Sequence, residues 1–124
     1  MPKASKDTAA QVDLGAVETR TAELGEYLVE FATFRADADG APFFRGLPDD
    51  RCQSPHWGYV LRGRLTFRYP DRDEVYDAGD AYYAPPGHVP VVSAGTETVE
   101  FSPTEAYRRT LAVVAANAAA IQGA

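Results

Sequence analysis

The chain has only two histidines, His56 and His88, and a single cysteine, Cys52. Asp50, Cys52 and His56 are separated by even numbers of residues, so on an extended strand their side chains share a face. Pro55 lies inside this run and disturbs the register. Carboxylate, thiolate and imidazole are all metal-ligand types. A soft thiolate with imidazoles and a carboxylate suits zinc first, and iron, nickel or manganese less well. Three protein ligands with one open position polarise a substrate oxygen or lower the pKa of a bound water. No Cys-x-x-Cys or His-Glu-x-x-His pattern accompanies these residues, so a second reading stays open. In it, the histidines are neutral pocket residues, Cys52 is a small buried hydrophobe, and Asp50 caps a turn after Pro48.

The elements that must position these residues are mostly short strands. Residues 14–20 and 26–34 read as strands; in the second, Tyr27, Val29 and Phe31 alternate with Leu28, Glu30 and Ala32. A short strand is expected at 42–45. Residues 56–61 and 64–69 form two strands around Gly63, 74–76 returns after the turn Pro70-Asp71-Arg72-Asp73, and 81–84 precedes Pro85-Pro86-Gly87, the hardest break in the chain. Residues 88–93 and 98–101 are the last strands. Ser102-Pro103-Thr104-Glu105 predicts a helix start with Ser102 as cap. Tyr107, Leu111, Val114, Ala118 and Ile121 then recur on one helical face. Many short strands with regular turns argue for a sandwich or barrel.

The stretch from Asp50 to Pro90 resembles the cupin superfamily. Tyr59-Val60-Leu61-Arg62-Gly63-Arg64-Leu65 is similar to the strand–glycine–strand hairpin of the family's first motif. Gly79-Asp80 followed by Pro85-Pro86-Gly87 is similar to the second. The resemblance spans roughly 14–101. It implies an all-β chain: a cupin jelly-roll β-barrel over 13–102, a flexible arm over 1–12 and a C-terminal α-helix over 103–122. Metal-binding cupins typically use two histidines one residue apart, a glutamate and a third histidine. By the family's spacing those positions fall on Asp50, Cys52, His56 and Pro90, with His88 two residues before the last. None of the four family ligands is kept. The substitutes that the resemblance implies are His56, His88, Cys52 and Asp50, with the two motifs bringing His56 and His88 within reach of each other inside the barrel.

The same alternation places Trp57 and Tyr59 opposite to His56, away from the pocket, and turns either Tyr82 or Tyr83 inward. Tyr82, Tyr83 and Arg62 are the candidate ligand-binding residues. An arginine inside the barrel would imply an anionic ligand such as a carboxylate, although Arg62 and Arg64 flank a turn. Asp71, Asp73, Glu74 and Asp77 read as solvent-facing. Three functions stay open. One is a metal-dependent hydrolase, isomerase or dioxygenase acting on a small polar, carbonyl or carboxylate-bearing molecule. Another is a metal-free small-molecule binding or sensor module. The third is an interaction subunit with a vestigial pocket, since one scaffold hosts many chemistries.

The 124 residues suit one domain, and the net charge of −6 disfavours nucleic acid and anionic membrane as partners. A lone cysteine excludes an intrachain disulfide and fits a reducing compartment. No stretch reaches the roughly 20 apolar residues of a membrane span, and no apolar signal core follows Met1-Pro2-Lys3, so a cytoplasmic location is expected. A homodimer is expected from the apolar outer residues Trp57, Tyr59 and Leu61 and from the helix stripe.

Overall fold

The structure, a computed structural model, describes residues 3–122. Among these residues the chain forms β1 (Ala10–Asp13), β2 (Val17–Leu24), β3 (Tyr27–Phe34), β4 (Ala38–Asp39), β5 (His56–Arg62), β6 (Arg64–Arg68), β7 (Asp73–Asp77), β8 (Ala81–Ala84), β9 (Val89–Val92), β10 (Glu97–Pro103) and α1 (Thr104–Gln122). Two antiparallel sheets result, one ordered β1-β2-β3-β10-β5-β8 and the other β4-β9-β6-β7. The inner faces of both sheets and one side of α1 line a cavity.

Alternation sets which residues face it. Along β5, His56 and Val60 are buried while Trp57, Tyr59 and Leu61 are exposed. Register carries the same phase across the sheet: Gly58 lies opposite both Tyr82 and Glu100, and Glu100 lies opposite Glu30. The row Tyr82–Gly58–Glu100–Glu30 therefore points inward. Gly58 must lack a side chain, because a Cβ there would come within 2.4 Å of the Tyr82 ring and hydroxyl. Gly63 turns β5 into β6 with φ +81, and a Cβ there would meet Thr96 Oγ1 at 2.3 Å. That hydroxyl accepts from the Arg64 amide and locks the turn. On the apolar side, Val60, Leu65, Phe67, Tyr82, Ala84 and Val92 form the main core cluster. Fully burying each large aliphatic or aromatic side chain stabilises by about 1.5–3 kcal/mol.

Several expectations change. Met1 and Pro2 of the expected arm lie outside the described residues, and residues 10–12 of it belong to β1, paired with β2. The strand expected at 14–20 starts at Val17, after a turn in which the Leu14 amide donates to the Val17 carbonyl. Residues 41–44 form a 3-10 turn instead of a strand, opened by Pro42. Ser102 is no helix cap: it is a buried residue of β10. Thr104 opens the helix, its hydroxyl donating to the Glu26 carbonyl at 3.0 Å.

The helix packs on its own chain. Tyr107 and Ala118 are buried, and Leu111 and Val114 line the cavity. Asn117 Nδ2 donates to the Phe43 and Arg45 carbonyls at 2.8 and 2.9 Å, pinning the 3-10 turn beneath the helix. The stripe expected to seek a partner thus finds most of its cover within the chain, and Ile121 stays exposed.

Candidate metal centre

His56 enters the cavity as the first residue of β5, and His88 from the turn before β9. Cys52 joins them through its backbone. Its amide donates to the His88 carbonyl at 2.9 Å, and its carbonyl accepts from the Gly87 amide at 2.7 Å. This two-residue bridge sets a cysteine and a histidine that are distant in sequence side by side. Cys52, His56 and His88 are all buried, and their ligand atoms lie within 4.8 Å of one another.

Each imidazole is oriented by its other nitrogen. His56 Nδ1 lies 2.6 Å from Ser102 Oγ and 3.3 Å from Glu100 Oε1. His88 Nδ1 lies 2.8 Å from the Pro85 carbonyl, an acceptor only, so this nitrogen carries the proton. The carbonyl fixes Nδ1–H on His88 and leaves its Nε2 free as a ligand, while the Ser102 hydroxyl and Glu100 hold the Nδ1 edge of His56. A carboxylate or carbonyl behind a histidine is the outer shell that metal-ligating histidines use. His56 Nε2 is 3.5 Å from Cys52 Sγ. Two ligands on one tetrahedral zinc, a thiolate and an imidazole, stand about 3.6 Å apart. The three residues form a group that could hold a metal ion, and the Cys52–His56 spacing is compatible with shared coordination.

Burial controls the protonation states. It pushes the His56 pKa down to about 3, and that of His88, which also faces His56, to about 3. Both are therefore neutral near pH 7, the form that ligates. Burial pushes the Cys52 thiol up to about 12, so metal binding there must displace a proton. Burial also lifts Glu30 to about 8, reinforced by the facing Glu100, and Glu100 itself to about 7, against the hydrogen bond from Tyr82.

The remaining candidates go elsewhere. Asp50 is exposed and accepts from the Gly46 amide at 3.0 Å, within its own loop. The left-handed φ of 55° at Asp49 and Asp50 breaks the extended run that would have put Asp50 on the face of Cys52. Tyr82 is buried, but its hydroxyl donates to Glu100 Oε2 at 2.5 Å. Tyr83, paired with Trp57 instead of Gly58, is exposed on the outer face with its ring 5.2 Å from the Trp57 ring. Arg62 lies in solvent beside Glu97 at 3.2 Å. Among the described residues no arginine or lysine lines the cavity, so the carboxylate ligand expected from an inward arginine loses its support.

Sequence reasoning missed Glu30, Glu100, Ser102, Tyr107 and Thr110. Tyr107 donates to Glu30 Oε1 at 2.8 Å, and the Thr110 hydroxyl lies 3.8 Å from Cys52 Sγ. One signal was available. On β3, β5 and β10 Tyr27, Phe31, Trp57, Tyr59 and Phe101 share one phase, and Glu30, His56 and Glu100 share the other, with Phe34 the one aromatic that joins them.

No family model matches the sequence, and no curated protein matches it. Solved structures do match in shape. An RmlC-like cupin from Shewanella frigidimarina superposes with a TM-score of 0.55 at 18% identity, covering 81% of this chain and 88% of that one. KdgF from Halomonas sp. gives 0.56 at 17%, covering 80% and 90%. The iron(II) form of HppE gives 0.57 at 10%, covering 82% of this chain and 60% of its own. The chain has the cupin fold.

Proposed function

We propose that this cupin-fold chain holds a divalent metal, zinc first, on Cys52, His56 and His88 and presents it to a small polar molecule in the adjoining cavity. The observation that supports this reading most is the orientation of both imidazoles by their Nδ1 atoms. It leaves ligand atoms of two neutral imidazoles and a thiol within 4.8 Å of one another. When bound, such a metal supplies Lewis acidity toward a ligand oxygen. The chain's own residues do the rest. Ser102 and Glu100 hold His56, the Pro85 carbonyl holds His88, and Tyr82 anchors Glu100. Leu65, Phe67 and Val92 form an apolar wall of a cavity of about 130 Å³, a size that suits a small ligand.

The test is elemental analysis of protein purified without a metal-affinity tag, followed by thermal unfolding with and without a strong chelator. One zinc per chain and a lowered Tm are expected, because binding only the folded state stabilises by mass action. Substoichiometric metal with an unchanged Tm would favour the second reading, a metal-free binding or sensor module. That reading draws on the mostly apolar cavity with few polar groups.

We also propose pairing of two copies through the outer face of the six-stranded sheet. Tyr27, Trp57 and Tyr83 are exposed there, with successive ring centroids 5.9 and 5.2 Å apart. A specific two-fold contact hides about 800 Å² per subunit. Sedimentation should give twice the chain mass of 13.4 kDa. A monomer at micromolar concentration would refute the pairing.

A further inference from the structure

Glu30 is the least satisfied buried group of the described residues. Its side chain lines the cavity, and the residue is 7% exposed. Oε1 accepts from Tyr107, while Oε2 is enclosed and has no hydrogen-bond partner among the described residues. An unpartnered buried oxygen of this kind keeps an uncompensated desolvation cost, larger when charged. A ligand that donates to it removes that penalty.

The chemistry of such a ligand follows from the surroundings. Glu100 faces Glu30 across the β3–β10 pair. It is already engaged by Tyr82 and lies beside His56, so Glu30 is the acceptor left open. No lysine or arginine among the described residues lines the cavity to balance these acids. Along β3, Ala32 and Phe34 follow Glu30 on the same inward face and line the cavity with Val17 and Val114. An acceptor at one point and an apolar wall beyond it describe a site for a polar head on a short hydrocarbon body.

We propose that Glu30 forms an ammonium subsite: the cavity takes a small primary amine whose protonated nitrogen donates to Glu30 Oε2 and whose apolar body lies along Ala32 and Phe34. This deepens the reading above by naming the ligand class for the same cavity. Its geometry does not need the metal.

Titration calorimetry near pH 9, where Glu30 with its pKa of about 8 is ionised and an alkylamine is still protonated, tests it with n-butylamine, n-butanol and butyrate, on zinc-loaded and on metal-free protein. Butylammonium should bind at least about tenfold more tightly than butanol, the scale of a charge-assisted hydrogen bond. Butyrate should show no binding. In Glu30→Gln the preference for butylammonium should vanish while zinc stoichiometry stays unchanged. Equal binding of butanol or butyrate by the wild-type chain would overturn the proposal, as would a Glu30→Gln protein that keeps the preference. The wild-type series decides the matter even if the variant fails to fold. An amine preference in protein that takes up no zinc would sink the metal reading alone. One zinc per chain with no amine preference would sink the subsite alone.

Discussion

The two walls of the cavity are made of different material. The four-stranded sheet offers Leu65, Phe67, Pro90 and Val92, whereas the six-stranded sheet adds Glu30, His56, Thr98 and Glu100 to the apolar Val17, Ala32 and Phe34. Both walls have inward alternation, and both are buried. Yet the larger sheet keeps aromatics such as Trp57, Tyr83 and Phe101 on its outer face, where they stay exposed. A hydrophobic side chain does not by itself mark the inside of a strand; an exposed apolar residue is ordinary, and a buried polar one is informative. The apolar wall contributes stability by burial. The polar wall costs desolvation, which the hydrogen bonds from Tyr82 and Tyr107 offset in part, and it carries His56 of the candidate metal group.

Four measurements sharpen or break this contrast. The largest effect should come from the apolar wall: Phe67→Ala should destabilise by about 3–5 kcal/mol through lost burial and a new cavity. The loss should be nearly independent of pH and of chelator. A loss under about 1 kcal/mol in a denaturant titration would show that the wall is not close-packed.

Cys52→Ala comes next. It removes one metal ligand and little packing volume, so it should abolish zinc binding. The chelator-sensitive stabilisation, about 2.7 kcal/mol at a hundredfold excess over Kd, should go with it. Retention of a full equivalent of zinc would show that the site does not use the thiol.

The pH dependence of metal-free protein should come from the polar wall. Glu30 and Glu100 have pKa values of about 8 and 7 in the folded chain against 4.5, so the folded state holds extra protons above pH 4.5 and stability falls as pH rises toward 8. His56 and His88, at about 3 against 6.5, act in the opposite sense, and stability falls as pH drops from 6.5 toward 3. Between 4.5 and 6.5 the two pairs oppose each other. The denaturation midpoint should therefore be nearly level there and decline on both sides. Glu30→Gln should flatten the alkaline decline, chiefly between 7 and 8; an unchanged decline would mean that Glu30 does not carry it.

The smallest effect belongs to the surface. Arg62 pairs with Glu97 in solvent, so Arg62→Ala should cost no more than about 0.5 kcal/mol and leave ligand binding intact. A clear loss of binding would return Arg62 to the cavity.

The sequence carried a good part of this. The β5–β6 hairpin around Gly63, the break at Pro85-Pro86-Gly87 and the periodic helix were all legible, because turn chemistry and side-chain period are local properties. The inward phase of β5 followed from His56, which placed Trp57 and Tyr59 outside. Ser102 misled because Ser-Pro-Thr-Glu is a sound helix start. Its hydroxyl is instead claimed by His56, 46 residues away, and Thr104 opens the helix two residues later.

The composition of the metal cluster and its environment belong to different levels. Residue types alone limited the thiol and imidazole donors to Cys52, His56 and His88, since the chain has no others. Only the tertiary structure separated Cys52 from Asp50, through a left-handed turn that sends the aspartate to solvent. Only the tertiary structure put Glu30 and Glu100 inside, because Tyr107 donates to one oxygen of Glu30 from 77 residues away and Tyr82 reaches Glu100 across the bare backbone of Gly58. A carboxylate can be buried only where partners converge on it, and that convergence is a property of sheet register and helix docking, which local sequence does not encode.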